Sequence, residues 1–258
     1  MLLAPDEPPP FEVVPASPAS RFVIVCDHAG RRVPRALESL GLPASEFERH
    51  IAWDLGVAGL GRKLARALDA TLILQPYSRL VIDCNRRPTR PDSIATSSED
   101  TLVPGNLAVS AAAALERSSE IFEPYHARVR EELDARRAEG RATTLVLLHS
   151  FTPVYRGVAR PWHAGVLYLR DARLALPMLA ELRAQPGLVV GENEPYAASE
   201  LTDYGIVEHG EGRGLLHVEL EVRQDLLSDE AGQSAWSERL ARALEAVSPS
   251  GATLRSPE

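Results

Sequence analysis

The chain passes directly from an apolar run, Phe22-Val23-Ile24-Val25-Cys26, into a polar one, Asp27-His28-Ala29-Gly30. A short, continuous apolar run that ends in this way is typical of a buried strand that leads into a loop. The same pattern recurs at residues 72–74, 145–148 and 215–222. Between these runs, apolar residues return at helical spacing at about 45–68, 107–138, 172–184 and 231–247. Strands that alternate with helices predict an α/β sheet with helices on both faces.

The length of the chain, 258 residues, suits one large domain. Its first 20 residues are rich in proline, which predicts an irregular arm that lies over the surface. We expect a single α/β domain over residues 21–250 and a C-terminal tail over residues 251–258.

The charge balance argues against nucleic acid as a partner. With 28 Lys and Arg residues against 36 Asp and Glu residues, the net charge is −8. No apolar run reaches the roughly 20 residues that a membrane-spanning helix needs. Two cysteines are too few for a disulfide framework, and the proline-rich start is unlike a secretory leader. We therefore expect a cytoplasmic protein without membrane partners, and the sequence leaves the oligomeric state open.

Histidines follow two of the predicted strands, His28 after the first apolar run and His149 after the run at residues 145–148. Ligands of such sheets bind beyond the carboxyl ends of the strands, and a catalytic zinc takes three protein ligands, commonly histidine and carboxylate. The two histidines are therefore either metal ligands or hydrogen-bonded loop residues. Asp54 or Asp27 could supply an acidic third ligand.

Two glutamates on the last predicted strand, Glu219 and Glu221, are two residues apart and so point to the same face. Paired carboxylates can have a raised pKa, and one of them can act as a general base. The alternative is a solvated strand face on which the glutamates pair with Arg223.

Arginines cluster at residues 77–87, where Arg79, Arg86 and Arg87 flank an alternating, strand-like core. Guanidinium groups bind carboxylates in a bidentate manner, so this cluster could hold an acidic substrate. It is equally consistent with internal ion pairs to Asp83 or to nearby glutamates. Residues 87–105 are predicted to form a long loop, and loops of that length are often functional.

Other catalytic patterns are absent from the sequence. The chain has no G-x-S-x-G nucleophile motif and no Walker loop. Cys26 precedes Asp27 and His28 and could be a thiol nucleophile with its base. Because Cys26 closes an apolar run, we expect a buried, inert thiol instead.

Seven segments, in order along the chain, carry a resemblance to a known family. They are Cys26-Asp27-His28-Ala29-Gly30, His50-Ile51-Ala52-Trp53-Asp54-Leu55-Gly56, Tyr77-Ser78-Arg79 through Asp83-Cys84-Asn85-Arg86, Tyr125-His126, Leu148-His149-Ser150-Phe151-Thr152-Pro153, Gly191-Glu192-Asn193-Glu194-Pro195-Tyr196 and Glu219-Leu220-Glu221-Val222-Arg223-Gln224-Asp225. Over residues 21–227 the chain resembles the N-formylglutamate amidohydrolases, which are similar in turn to zinc carboxypeptidases and aspartoacylases. The resemblance implies a three-layer α/β/α sandwich with a mixed, mostly parallel sheet.

The resemblance also implies one zinc ion per chain, although other divalent metals accept the same ligand types. His28 and His149 match the two histidine ligands, and Glu221 matches the glutamate that acts as the base. In carboxypeptidases the acidic ligand lies three residues after the first histidine, but that position is Arg31 here. We therefore take Asp54 as the third ligand.

The reaction implied by the resemblance is hydrolysis of N-formyl-L-glutamate to formate and L-glutamate by a metal-activated water, and the family name suggests histidine degradation. Arg79 is expected to act in catalysis and to bind the anionic substrate together with Arg86, Asn85, Tyr125, His126, Asn193 and Tyr196. The alternatives are another N-acyl amino acid, a terminal peptide bond as in carboxypeptidases, or a non-catalytic protein that binds an anionic metabolite. His163, His209 and His217 have no assigned role, and His209 could approach the site from the loop before the last strand.

Overall fold

The structure is a computed structural model that describes residues 1–248. Residues 249–258, which include the predicted tail at residues 251–258, lie outside the described part. The strands are β1 (Glu12–Val14), β2 (Phe22–Cys26), β3 (Thr71–Leu74), β4 (Ser97–Ser98), β5 (Thr101–Leu102), β6 (Thr144–Phe151), β7 (Val154–Tyr155), β8 (Val158–Ala159), β9 (Ala164–Leu167), β10 (Val190–Glu192) and β11 (Leu216–Arg223). The α-helices are α1 (Val57–Leu68), α2 (Ala111–Arg117), α3 (Glu123–Ala138), α4 (Ala175–Arg183) and α5 (Glu230–Val247). Short 3-10 helices lie at Arg35–Leu37, Ala44–Glu48, Pro91–Ser93, Pro104–Asn106, Glu211–Arg213 and Gln224–Leu227, and π-helical turns at Ser118–Phe122 and Ile206–Gly210.

Seven strands form one sheet in the order β1-β3-β2-β6-β11-β9-β10. The neighbours β3, β2, β6 and β11 run parallel, whereas β1 is antiparallel to β3 and β9 is antiparallel to β11. β10 is parallel to β9. The predicted mixed, mostly parallel sheet is therefore confirmed.

Alternate residues of the central strands pack into two separate apolar cores, because successive side chains of a strand point to opposite faces. On β2, Ile24 and Cys26 pack with residues of α1, α4 and α5. Val23 and Val25 pack on the other face, with residues of α3. Helices thus cover both faces of the sheet, as expected for a three-layer α/β/α sandwich.

The helix predicted at residues 45–68 is shorter than expected. Only α1, from Val57 onward, is α-helical, with Leu60, Leu64 and Leu68 buried on one face as their spacing predicts. The preceding residues form a 3-10 helix and turns. A contact across the domain holds them in that shape, because the backbone N–H of Asp54 donates to the carbonyl of His28 at 2.9 Å.

The proline-rich arm is more ordered than its composition predicts. Within residues 1–20, strand β1 pairs with β3, from Glu12 opposite Leu74 to Val14 opposite Leu72. The prolines flank this strand and leave its backbone free to pair, which is the arrangement expected at a sheet edge. Leu2 is also buried in the core on the α3 side. The expectation of irregular structure is thus wrong for residues 12–14, which form an edge strand.

The strand-like pattern at residues 77–87 is also misleading, because the structure forms turns there.

Two further strands, β9 and β10, do not follow from the sequence pattern. Each contains a glycine, which weakens the apolar pattern. At Gly165 a Cβ atom would lie 1.9 Å from the carbonyl oxygen of Glu194, so the close approach of the next loop requires glycine.

The stretch predicted as one or two helices around Pro124 runs from α2 through a π-helical turn into α3. Pro124 lies in the first turn of α3, where a missing N–H is tolerated. Among residues 1–248, no helix is both long and apolar enough to span a membrane.

Candidate functional site

The site lies at the carboxyl edge of the parallel strands. His28 follows β2, His149 lies near the end of β6, and Glu221 lies opposite His149 on β11. This edge is where ligands of open α/β sheets bind. The residues that the local pattern of buried strand followed by polar residues singles out therefore lie together at this edge.

His28, Asp54 and His149 form a group that could hold a metal ion. Each offers one ligand atom, and these atoms all lie within 4.8 Å of one another. Asp54 Oδ2 lies 2.9 Å from His149 Nδ1 and 3.5 Å from His28 Nδ1. Two imidazoles and one carboxylate are an ordinary set of ligands for a catalytic zinc.

The electrostatics of this group suit a cation. All three side chains are buried, and His28 Nδ1 has no hydrogen-bond partner within residues 1–248. Burial alone would raise the pKa of Asp54, but the His28 and His149 imidazoles outweigh it and hold that pKa well below its usual range. The carboxylate is therefore ionised and available as a ligand.

Backbone contacts from both histidine segments position Asp54. Its N–H donates to the His28 carbonyl at 2.9 Å, and the N–H of Ser150 donates to Asp54 Oδ2 at 3.3 Å. The Ser150 hydroxyl donates to the Leu55 carbonyl at 2.9 Å. Gly56 then turns the chain into α1 with a φ of +79°. These bonds bring a residue from a separate loop between the two strand ends.

Asp27, the other candidate for an acidic ligand, lies on the far side of His149. The Tyr125 hydroxyl donates to its Oδ1 at 2.7 Å. Its Oδ2 lies 3.7 Å from His149 Nε2, the ring nitrogen that does not face Asp54. Asp54 therefore joins the two histidines, and Asp27 stands behind one of them.

Glu219 and Glu221 share a face of β11 and are both buried, at 2% and 5% exposure. Their Oε2 atoms have no hydrogen-bond partner in the described part of the chain. Burial raises the pKa of Glu221 to about 8, against the opposing effect of His149. The alternative of a solvated face paired with Arg223 is wrong, because Arg223 pairs with Asp225 at 2.8 Å.

The arginines of the predicted cluster have separate environments. Arg79 donates to Asp83 Oδ2 through Nε at 3.1 Å and Nη2 at 2.6 Å, while its Nη1 lies 3.7 Å from Asp54 Oδ1. Arg86 donates to the backbone carbonyls of Asn85 and Thr202. The ion pair between Arg79 and Asp83, which the sequence left as an alternative to substrate binding, is present.

A cavity of about 840 Å³ opens onto these groups. Predicted site residues that line it are His28, Asp54, Arg79, Asn85, Arg86, His149, Tyr196 and Glu221. The Arg160 guanidinium lies 4.6 Å from the centre of the Tyr196 ring and donates to its hydroxyl at 2.9 Å. The cavity therefore combines the candidate metal group, a buried carboxylate and cationic groups.

A comparison of the sequence with models of protein families identifies one match. The profile of N-formylglutamate amidohydrolase matches residues 20–228, a range that contains every group described above. The chain belongs to the N-formylglutamate amidohydrolase family. Membership of this family supports a hydrolase that acts on amides.

Solved structures agree with the fold of this amidohydrolase. A gene product of Agrobacterium tumefaciens is 35% identical with a TM-score of 0.91, covering 96% of this chain and 100% of its own. An N-formylglutamate amidohydrolase from Ralstonia eutropha has the same fold, with 21% identity and a TM-score of 0.70. The match covers 92% of this chain and 98% of the Ralstonia chain. A search of the curated proteins finds no match.

Three residues expected to bind substrate do not line the cavity of this family member. Tyr125 and His126 are fully buried behind the site, where Tyr125 contacts Asp27 and His126 contacts the Cys84 carbonyl. Asn193 accepts a hydrogen bond from the N–H of Tyr168 at 3.0 Å through its side chain. The resemblance implies that these three residues bind substrate, but in the structure their side chains contact other protein groups instead of lining the cavity.

The remaining histidines and Cys26 have structural contacts. His209 pairs with His126 at 2.9 Å, His217 Nδ1 lies 2.9 Å from the Leu215 carbonyl, and His163 Nδ1 accepts from the N–H of Val189 at 2.9 Å. Cys26 is fully buried, and burial raises its thiol pKa well above the ordinary value. The expectation of a buried thiol is confirmed, and its inertness stays a prediction.

Sequence reasoning missed several residues of the cavity wall. His50, Glu99 and Arg156 line it, and Asp83 does so beside His28. The sequence indicates Asp83 only as an ion-pair partner of the neighbouring arginines. Arg156 lies on the short β7–β8 hairpin and has no carboxylate within ion-pair distance in residues 1–248. No local pattern marks these positions, because separate loops bring them to the cavity.

Proposed function

We propose that this amidohydrolase is metal-dependent and cleaves the formyl amide of N-formyl-L-glutamate to give formate and L-glutamate. One observation carries the proposal. The His28–Asp54–His149 group and Glu221, whose Oε2 atom has no hydrogen-bond partner within residues 1–248, line the same cavity as Arg79, Arg86 and Arg156. That combination suits hydrolysis of an amide next to negatively charged groups.

We propose zinc as the metal held by His28, Asp54 and His149, since this set of nitrogen and carboxylate ligands is typical of catalytic zinc. When bound, zinc supplies Lewis-acid chemistry: it polarises a carbonyl oxygen and acidifies a water molecule. Glu221 takes a proton from the attacking water as the oxygen atom of that water bonds to the formyl carbon. Glu221 then delivers that proton to the departing nitrogen as the C–N bond breaks. A carboxyl group whose burial raises its pKa is suited to both transfers.

Substrate binding is assigned to the cationic wall. Arg86 and Arg156 face the cavity and can form charge-assisted hydrogen bonds with the two carboxylates of the substrate. Arg79 lies against Asp54, so its Nη1 is placed to stabilise negative charge that develops beside the metal group. Tyr196 is held by Arg160 and limits the cavity on the opposite side.

Metal analysis and formate release test this proposal together. We expect freshly purified protein to carry about one metal ion per chain, and to release formate from N-formyl-L-glutamate. A chelator should abolish formate release, and zinc should restore it. A metal-loaded protein that releases no formate would contradict the substrate assignment.

A substrate panel then separates the alternatives. It should contain N-formyl-L-aspartate, N-acetyl-L-glutamate and a short peptide with a C-terminal glutamate. Preference for the acetyl compound would indicate another N-acyl amino acid, and preference for the peptide would indicate a carboxypeptidase-like reaction. Tight binding of the formyl compound that survives the chelator without turnover would support the non-catalytic protein.

A further inference from the structure

We propose that Asp83 and Asp27 are positioning residues that orient the two histidines of the metal group, and that Arg79 and Tyr125 hold these two carboxylates in place. The inference rests on the metal dependence of the proposed function but not on its substrate. It assigns one chain of contacts, Arg79–Asp83–His28, and a second, Tyr125–Asp27–His149.

The first chain is closed by short contacts. His28 Nε2 lies 2.8 Å from Asp83 Oδ1, which also accepts from the N–H of Asn85 at 2.9 Å. The other Asp83 oxygen accepts from Arg79. A carboxylate acceptor at Nε2 keeps the proton of a neutral imidazole there and leaves the Nδ1 lone pair toward Asp54.

The second chain has the same order. Tyr125 donates to Asp27 Oδ1 at 2.7 Å, and Asp27 Oδ2 faces His149 Nε2 at 3.7 Å. Both facing atoms are buried and have no hydrogen-bond partner elsewhere in residues 1–248. A neutral histidine that offers Nδ1 to a metal carries its proton on Nε2, and Asp27 Oδ2 is the acceptor that faces this atom.

Two expected substrate-binding residues gain another role through these contacts. Two of the three guanidinium nitrogens of Arg79 are directed to Asp83, so the residue supports His28 as well as facing the cavity. Tyr125 lies on α3 and reaches the metal group only through Asp27. The helix layer beneath the sheet is thereby connected to the metal group.

Metal affinity tests the proposal without any substrate. The metal-free Asp83→Asn and Asp27→Asn proteins should bind Zn²⁺ about 10- to 100-fold more weakly than wild type, the effect typical of losing such an outer partner. Tyr125→Phe should show a smaller loss. The matched control is Asp92→Asn, which makes the same change at a cavity carboxylate whose partners are arginines. Competition with a chromophoric chelator measures the dissociation constants.

Two further measurements separate orientation from general stability. Tyr125→Phe should lower the unfolding temperature of the metal-free protein, because the buried Asp27 loses a hydrogen-bond donor, and the stabilisation gained on adding Zn²⁺ should fall as well. The visible spectrum of the Co²⁺-loaded protein should change in Asp83→Asn and Asp27→Asn and stay unchanged in Asp92→Asn, because it reports ligand geometry.

Wild-type Zn²⁺ affinity and Co²⁺ spectra in both Asn variants would overturn the proposal. If an Asn variant does not fold, Tyr125→Phe and Arg79→Lys decide the question by the same two readouts. Failure of the proposed function looks different: wild-type protein would bind metal as expected and release no formate.

Discussion

Glu221 is a carboxyl group enclosed at the end of the last strand, and its surroundings decide how readily it ionises. Burial raises its pKa to about 8, while His149, His28 and Arg79 act in the opposite direction. Its Oε2 atom is left without a protein partner within residues 1–248. A buried group in this condition is available to a substrate or a water molecule, and its position opposite His149 favours Glu221 over Glu219 as the general base.

Replacement of Glu221 by Gln keeps the shape of the side chain and removes the proton acceptor. We expect kcat for formate release to fall by about 10²- to 10⁴-fold, the usual contribution of general acid–base catalysis, with metal content unchanged. Glu219→Gln makes the same change two residues earlier on β11, opposite Leu147 instead of His149, and should lower kcat less. Near-normal turnover by Glu221→Gln with metal bound would show that another group is the base.

Asp54 supplies the only carboxylate of the candidate metal group in the described residues. We expect Asp54→Ala to lose most of its bound metal after dialysis, because two imidazoles alone leave the set of three protein ligands incomplete. Elemental analysis measures the metal content, and Asp92→Ala serves as the control for loss of a cavity carboxylate. Retention of one metal per chain in Asp54→Ala would return Asp27 to consideration as the ligand.

Among the elements, the buried strands were the most predictable part of this fold. The apolar runs of β2, β3, β6 and β11 are local, so the strands, and the His28 and His149 positions beside two of them, follow from the sequence alone. The loops were not predictable, because distant contacts set their shape. The Asn106 side chain, for example, donates hydrogen bonds to the carbonyls of Leu80 and Ala95, and it thereby joins two separate segments of the cavity wall.

Asp54 illustrates the same limit within the site. Its spacing from His28 matches no short metal motif, so the sequence offers it only as an alternative to Asp27, and the choice between the two comes from comparison with the family pattern. Its position depends on bonds to His28 and Ser150 that join separate segments. The reverse error occurred at Tyr125 and His126, where the resemblance marked important segments without showing that their side chains lie behind the cavity.

The turn between Asp54 and α1 depends on Gly56. Its φ is +79°, and a Cβ atom there would lie 2.5 Å from Leu227 Cβ. We expect Gly56→Ala to lower the free energy of unfolding by roughly 2–4 kcal/mol, since strain and overpacking add. Gly140→Ala is a matched control, because Gly140 also has a positive φ, +67°, but a Cβ atom there would meet nothing within 4 Å.

Chemical denaturation measures both variants. The Gly56→Ala protein should also bind Zn²⁺ more weakly, since the displaced turn carries Asp54. Equal losses of stability in the two variants would mean that the contact with Leu227 is easily relieved.

The buried His126–His209 pair makes the stability of the whole protein depend on pH. The Cys84 carbonyl can only accept, so His126 Nε2 donates to it and Nδ1 accepts from His209 Nε2. The His126 ring is therefore neutral in the folded protein. Burial lowers the pKa of each histidine to about 3.

Stability should consequently fall as the pH is lowered from 6.5 toward 3. In this window the unfolded histidines bind protons that the folded ones do not, so the free energy of unfolding rises with pH by at most about 1.4 kcal/mol per pH unit for each ring. His209→Gln removes one of these groups and should flatten the dependence. Urea unfolding at a series of pH values tests this, with His163→Gln as the control for loss of an imidazole. An unchanged slope in His209→Gln would exclude the pair as its source.

The position of β11 bears on how the protein is made. It is the last strand of the sheet to be synthesised, yet it lies between β6 and β9. Until the ribosome has released residues 216–223, the edge of β6 lacks the strand that covers it in the folded sheet. Exposed edges invite pairing with other chains, so the nascent polypeptide should depend on chaperones late in translation. A chain cut short before β11 would lack Glu221 and would be a target for aggregation or proteolysis.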